Sequence, residues 1–252
     1  MTDRFTGQVV LVTGGGHGIG RGIARAFAGE GATVVVAGRD SEALTGTVKL
    51  IRESGGRAAA VTADVTRADD IARLVATTAA DWGGLDIAVN NAGVFAGAPA
   101  AELDEATWAN VLAVNLTGVW LSMKQEIGQM LRGGGGVIIN IASTIGAHIT
   151  YPGTAAYAAS KAGVSALTRA AAQDYIGRGI RINAVSPGAS DTPMSLQPGE
   201  TEDDRAARLR SAVPIGRVGS IAEISAAALW LASAEASFVV GHDLVIDGGA
   251  AA

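Results

Sequence analysis

Tyr157 and Lys161 stand four residues apart in Tyr-Ala-Ala-Ser-Lys, so on a helix they share one face. An unperturbed tyrosine with a pKa near ~10 is a poor acid-base group at neutral pH, and a neighbouring ammonium favours its anion and moves it toward the working range. Ser143, just past an apolar run, is placed to hydrogen-bond the same substrate oxygen. A second constellation, Thr-Gly-Gly-Gly-His-Gly-Ile-Gly at residues 13–20, lies between the apolar run 9–12 and a helical pattern over 21–30. Gly14, Gly18 and Gly20 let the backbone turn sharply and approach a diphosphate, while the helix start offers unpaired N–H groups and a positive dipole end. The spacing Gly-x-x-x-Gly-x-Gly differs from the commoner Gly-x-Gly-x-x-Gly, and no Gly-Lys-Ser/Thr follows to make a triphosphate loop. Each feature alone has an ordinary reading, a tight turn or a core tyrosine beside a surface lysine. Their co-occurrence is what points to a site.

Elements that position these groups follow from the periodicity. Apolar or β-branched runs at 9–12, 33–37, 58–63, 85–90, 137–141, 181–185 and 244–246 read as seven strands. Between them, helical patterns run from about 41 to 54, 66 to 82, 104 to 131, 154 to 176 and 220 to 232. Thr66 with Asp69, Thr201 with Asp204 and Ser220 with Glu223 have capping-box spacing. The tract 133–136 is a glycine loop, and Pro187-Gly188 ends the sixth strand. Strict alternation implies a single α/β domain, a doubly wound, mainly parallel seven-stranded sheet flanked by helices. Ligands bind such a sheet beyond the carboxyl ends of its strands, where the glycine turn, Asn90-Asn91-Ala92-Gly93, Ser143 and Pro187-Gly188 gather.

Bulk numbers agree with that class. The chain has 252 residues, 48% of them hydrophobic, enough for a sizeable core. Aromatics are only 4% against 35 glycines, which suits close packing of helices on a sheet. A formal charge of −5 without a basic run gives no electrostatic footprint for nucleic acid or an anionic membrane, so the expected partner is a small molecule. Having no cysteine, the chain has no disulfide framework, thiolate nucleophile or Cys-ligated metal. The start is polar and no apolar stretch reaches the ~18 residues of a membrane span, so a soluble, cytoplasmic protein is expected.

Together these features resemble the short-chain dehydrogenase/reductase family, in its single-domain branch, over nearly the whole chain. The family's glycine turn is similar to residues 13–20, its strand-end Asn-Asn-Ala-Gly to 90–93, and its Tyr-x-x-x-Lys to Tyr157 and Lys161. Its serine falls on Ser143 and its helix asparagine on Asn115. The resemblance implies a Rossmann-type domain over 1–252, with 189–213 as a substrate loop or lid. It implies that Tyr157 is general acid in reduction and base in oxidation, with Ser143 holding the reacting oxygen. Lys161 would lower the Tyr157 pKa and bind the nicotinamide ribose, and Asn115 would hold a water linking Lys161 to solvent. For the dinucleotide it implies Gly14, Gly16, His17, Gly18, Ile19 and Gly20 at the diphosphate turn, and Asp64 of the Asp64-Val65 pair on the adenine amino group. Asn91, with Gly93, would meet the adenine ribose region, while Pro187, Gly188, Ser190 and Thr192 flank nicotinamide and diphosphate. A homotetramer is the assembly it implies, joined through the two long helices and the last strand.

Two departures stand out. The interval from Ser143 to Tyr157 is 14 residues, one longer than in many relatives, so the loop around His148 is expected to differ. Ser190 occupies a position that is usually Val or Ile.

Cofactor choice turns on Arg39. NAD-using relatives carry an acid at the end of the second strand, and here that position is Gly38, followed by Arg39, so a 2′-phosphate would meet a guanidinium. NADP(H) is therefore expected, with NAD(H) as the alternative and His17 assisting when protonated. The expected activity interconverts a ketone or aldehyde and a secondary alcohol. An NAD-dependent sugar, polyol or steroid dehydrogenase is a second reading, and an idle cofactor-binding scaffold a third. Arg39 also reads as a solvated cation beside Asp40, Asn115 as a polar kink and Asp64 as a turn former. His148 either lines the substrate pocket or sits in a loop, and His242-Asp243 reads as a turn before the last strand. Three scattered histidines make no metal site. Trp108, Trp120 and Trp230 fall in helices and are expected to pack on the sheet or on another subunit.

Overall fold

A computed structural model describes residues 3–192, 195 and 199–252. The strands are β1 (Val9–Thr13), β2 (Thr33–Gly38), β3 (Arg57–Thr62), β4 (Ile87–Asn90), β5 (Gly136–Ile141), β6 (Ile180–Pro187) and β7 (Asp243–Ile246). They form one sheet in the order β3-β2-β1-β4-β5-β6-β7, with every neighbouring pair parallel. The sequence pattern anticipated a mainly parallel sheet; it is wholly so. β1 is buried at every position, as Val-Val-Leu-Val-Thr must be when helices cover both faces.

The helices are α1 (Gly18–Gly29), α2 (Ser41–Glu53), α3 (Ala68–Trp82), α4 (Glu105–Leu112), α5 (Gly118–Gly133), α6 (Thr144–Ala147), α7 (Ala155–Tyr175), α8 (Glu202–Ala212) and α9 (Ile221–Ala232). One core, with Ile23 and Phe27 of α1 and Ile224 and Leu231 of α9, lies on one face of the sheet. The other, with Leu74 of α3, Met123 of α5 and Val164 of α7, lies on the opposite face. β1 has β2 on one side and β4 on the other, so the winding reverses between β1 and β4 and opens a crevice above their carboxyl ends. No helix among the described residues is long and apolar enough to cross a membrane.

Several elements differ from the sequence expectation. The single helix expected over 104–131 is broken: α4 gives way to a π-helical turn at Ala113–Thr117, in which the Gly118 N–H reaches back to the Ala113 carbonyl, before α5 resumes. Thr66 and Asp69 make no capping box. The Thr66 N–H and hydroxyl both donate to Asp64 Oδ1, at 2.9 and 2.8 Å, because a charged acceptor two residues back outcompetes the helix end. α3 therefore starts one residue later, with Arg67 at its N-cap and no side-chain cap. The boxes at Thr201/Asp204 and Ser220/Glu223 are both present. α1 begins at Gly18 rather than Arg21, so the last three residues of the glycine turn are already helix. Asp243 belongs to β7 instead of a turn. Trp108, Trp120 and Trp230 are 40%, 48% and 37% exposed, so none is enclosed by this sheet.

Candidate active site

A cavity of about 680 Å³ occupies the crevice. Gly14, Gly16, His17, Gly18 and Ile19 reach it from the turn after β1, and Arg39 from the end of β2. Asp64 and Val65 come from the end of β3, Asn91 and Gly93 from the end of β4, and Thr192 from the segment after β6. Gly14 has φ +65°, and a Cβ there would stand 2.7 Å from Asn91 Nδ2, so only glycine lets the turn lie this close to β4. Gly20 lines no part of the cavity; it packs directly under the Gly14 carbonyl. The Asn91 amide donates to the carbonyls of Thr13 and Gly14, both at 3.1 Å, so its side chain braces the turn.

α1 points its N-terminus at this turn with no side-chain cap and no acid in its first turn, whereas α2, α4, α8 and α9 are capped by Asp40, Asp104, Thr201 and Ser220. Uncapped N–H groups and an unopposed dipole end, opening on a cavity of this size, fit a diphosphate. Asp64 lies below the usual carboxylate pKa range, first because it accepts the Thr66 N–H and also because Arg39 is near. Arg39 is exposed, and His17 Nε2 stands 3.7 Å from Asp40 Oδ2. Gly38, Arg39 and Asp40 thus bring one fixed cation and one carboxylate to the rim.

The second part of the site is made of side chains, buried at Ser143, Lys161 and Asn115 and half-buried at Tyr157. Ser143 follows β5, 6% exposed, and its Oγ accepts the Ile145 N–H at 3.1 Å. In α6 Gly146 has φ +134°, and a Cβ there would come within 2.7 Å of the Ala158 carbonyl and the Ala162 N–H group. That close approach lays the loop against the first turns of α7 and sets Ser143 beside Tyr157. Burial pushes the Tyr157 phenol above its ordinary pKa, and its hydrogen bond with Ser143 opposes the shift. The lowering expected from Lys161 is not seen in the protein alone, where burial raises the phenol and the opposing pull comes from Ser143. Lys161 is 4% exposed, donates to the Ile141 carbonyl at 2.7 Å, and has its Nζ 5.9 Å from the Tyr157 ring centre. Burial brings its pKa down to about 8.

Asn115 sits inside the π-helical turn, fully buried. Its Oδ1 accepts the Val94 N–H at 2.8 Å, and its Nδ2 donates to the Val94 carbonyl at 2.9 Å and to Ser160 Oγ at 3.1 Å. A Cβ on Gly93 would meet Asn115 Oδ1 at 3.4 Å and Lys161 Nζ at 3.6 Å, so the two side chains converge on that glycine. Pro187, Gly188 and Ser190 stand apart from the cavity: the Pro187 carbonyl accepts the Thr144 hydroxyl at 3.3 Å, and Ser190 Oγ donates to the Gly188 carbonyl at 2.8 Å.

Phe95 lies edge-on to Tyr157, ring centres 5.1 Å apart, and is 47% exposed. His148 turns to β7, where its Nε2 is 3.1 Å from Asp243 Oδ2. Asp243 also accepts the hydroxyls of Ser165 at 2.5 Å and Ser186 at 2.6 Å. No local signal marks a partner 95 residues away.

The family model described as enoyl-(acyl carrier protein) reductase matches residues 6–251. The 3β-hydroxysteroid dehydrogenase 1 of Eggerthella lenta is 43% identical over 251 residues, covering 99% of this chain and 95% of that protein. The cis-4-hydroxycyclohexanecarboxylate dehydrogenase of Sinomonas cyclohexanicum is also 43% identical over 251 residues, covering 99% and 98%. Among solved structures, a short-chain type dehydrogenase/reductase from Mycobacterium marinum superposes with a TM-score of 0.93 at 35% identity, covering 99% of this chain and 97% of that one.

Proposed function

Since the chain belongs to the short-chain dehydrogenase/reductase family, whose dehydrogenases act on alcohols and ketones with NAD(P)(H), we propose that it interconverts a cyclic ketone and its secondary alcohol with NADP(H). The observation that carries this reading is the half-buried Tyr157 phenol beside Ser143, one helical turn from a buried Lys161. When bound, the nicotinamide supplies or accepts the hydride. Ser143 Oγ donates to the substrate oxygen and orients it against Tyr157. A phenol held protonated by burial is the form that donates as the oxygen gains charge in reduction. Lys161, still mostly an ammonium at neutral pH, offsets the tyrosinate that results. Oxidation runs the same steps backward, with tyrosinate as base.

Two further arguments narrow the reading. Arg39 at the rim and the lack of a carboxylate at Gly38 favour a 2′-phosphate over a free hydroxyl, although Asp40 and Asp64 temper the positive field. Both relatives at 43% identity are named for alcohols of ring compounds, and Phe95 offers an aromatic edge beside Tyr157 for such a ring to pack on.

NADPH and NADH titrated side by side on the purified protein, followed by absorbance loss with cyclohexanone, steroid ketone and open-chain carbonyl panels, test the reading. Tighter NADPH binding and fastest turnover of ring ketones are expected. Preference for NADH refutes the reading of Arg39, and turnover of open-chain carbonyls alone refutes the ring.

A further inference from the structure

Beneath the site lies a buried polar chain that the reaction does not use. Asn90, Glu126, Asn140 and Thr168 are each at most 1% exposed and come from β4, α5, β5 and α7. Asn90 Nδ2 donates to Glu126 Oε2 at 2.9 Å and to Asn140 Oδ1 at 3.0 Å. Asn140 Nδ2 donates to Thr168 Oγ1 at 2.9 Å. Two acceptors on the facing pair, Asn90 Oδ1 and Glu126 Oε1, have no donor, and the Ser122 hydroxyl one turn away reaches neither.

An amide and a carboxyl that already share one N–H···O bond are left with one oxygen each. If the carboxyl is ionised, both oxygens are buried acceptors without a donor, beside a charge with one neutral partner. A single proton on the carboxyl converts that pair into an O–H···O bond and removes the charge. Among the described residues no charged group supplies an alternative. α3 turns Ile71, Leu74, Val75 and Thr78 inward, Lys161 of α7 is directed to the Ile141 carbonyl, and Arg181 of β6 bonds carbonyls at the end of α9.

We propose that Glu126 is held as a neutral carboxylic acid whose proton bridges Oε1 to Asn90 Oδ1, and that this acid–amide pair is a positioning element for the reaction site above it. Asn90 ends β4, and the next residue, Asn91, braces the glycine turn. Asn140 precedes Ile141, whose carbonyl receives Lys161, and Thr168 lies two turns beyond Lys161 on α7. The chain therefore ties together elements that carry both parts of the site. Burial raises the Glu126 pKa from 4.5 to about 7, in the same sense. Because the folded pKa lies above the unfolded one, stability from this group is full below about 4.5 and is lost as pH rises through about 7.

Glu126→Gln reproduces the neutral acid: its amide N–H donates to Asn90 Oδ1 and its oxygen accepts from Nδ2. Infrared difference spectra of wild type against E126Q are expected to show a protonated-carboxyl band at pH 6 that fades by pH 8. Melting curves should coincide near pH 5, with E126Q melting progressively higher as pH rises to 8. Absence of the band at pH 6, or parallel melting profiles, overturns the charge assignment. Positioning rests on the proposed reaction. Glu126→Leu is expected to lower turnover by about tenfold to a hundredfold while E126Q preserves it, and equal turnover in the two variants overturns that half. The infrared and melting results need no substrate, so they fail or hold independently of the reaction.

Discussion

The two parts of the crevice are made of different material. Around the glycine turn the walls are backbone: Gly14 at positive φ, the uncapped start of α1, and an Asn91 amide that holds two turn carbonyls. Around Tyr157 they are side chains whose charged forms burial resists, with Lys161 down to about 8 and the tyrosine pushed up. The backbone part needs only a local conformation that glycine allows. In the side-chain part, a charge is kept out of water by the rest of the fold. The end proposed for the dinucleotide is thus a stable receptacle, and the proposed catalytic end is the place where stability is given up for chemistry.

Three variants break or sharpen that contrast. Tyr157→Phe should lower turnover by about 10²–10⁴-fold with NADPH affinity unchanged, because the phenol serves the catalytic end alone. Steady-state rates beside fluorescence titration check this, and a parallel loss of cofactor affinity would merge the two ends.

Lys161→Met should abolish most turnover yet stabilise the protein by roughly 1–3 kcal/mol at pH 7, after allowing for the orphaned Ile141 carbonyl. The folded pKa lies below the unfolded 10.5, so this lysine's contribution is full above 10.5 and is lost as pH falls through about 8. The gain from Met should accordingly shrink as pH climbs from 8 toward 10.5, which denaturant melts at several pH values would reveal. Equal stability at pH 7 would show that the catalytic end carries no such burden.

Arg39→Glu should weaken NADPH by about 10–100-fold and leave NADH nearly untouched. Its exposed position makes it the smallest of the three effects and the most sensitive to salt. Equal weakening of both cofactors would mean that Arg39 shapes the rim without reading the phosphate.

Much of this molecule was legible from sequence because its determinants are short in range. The strands are apolar runs, the caps at Thr201 and Ser220 need only a partner three residues on, and Tyr157 and Lys161 share a face by helical period alone. The errors share a cause. Thr66 with Asp69 satisfies the capping pattern, but Asp64 is nearer and charged. The run 104–131 has helical periodicity throughout, and the π turn that carries Asn115 inward to Val94 and Ser160 leaves no mark in it.

What the sequence determined by itself was the sheet, the glycine turn and the chemical types at the site, since each depends on residues a few positions apart. Only the tertiary structure decided which groups are charged. Ile141 offers Lys161 a carbonyl from 20 residues away, and Glu126 meets Asn90 across 36 residues. Ionisation follows burial and partners, and both are properties of packed elements brought together by folding.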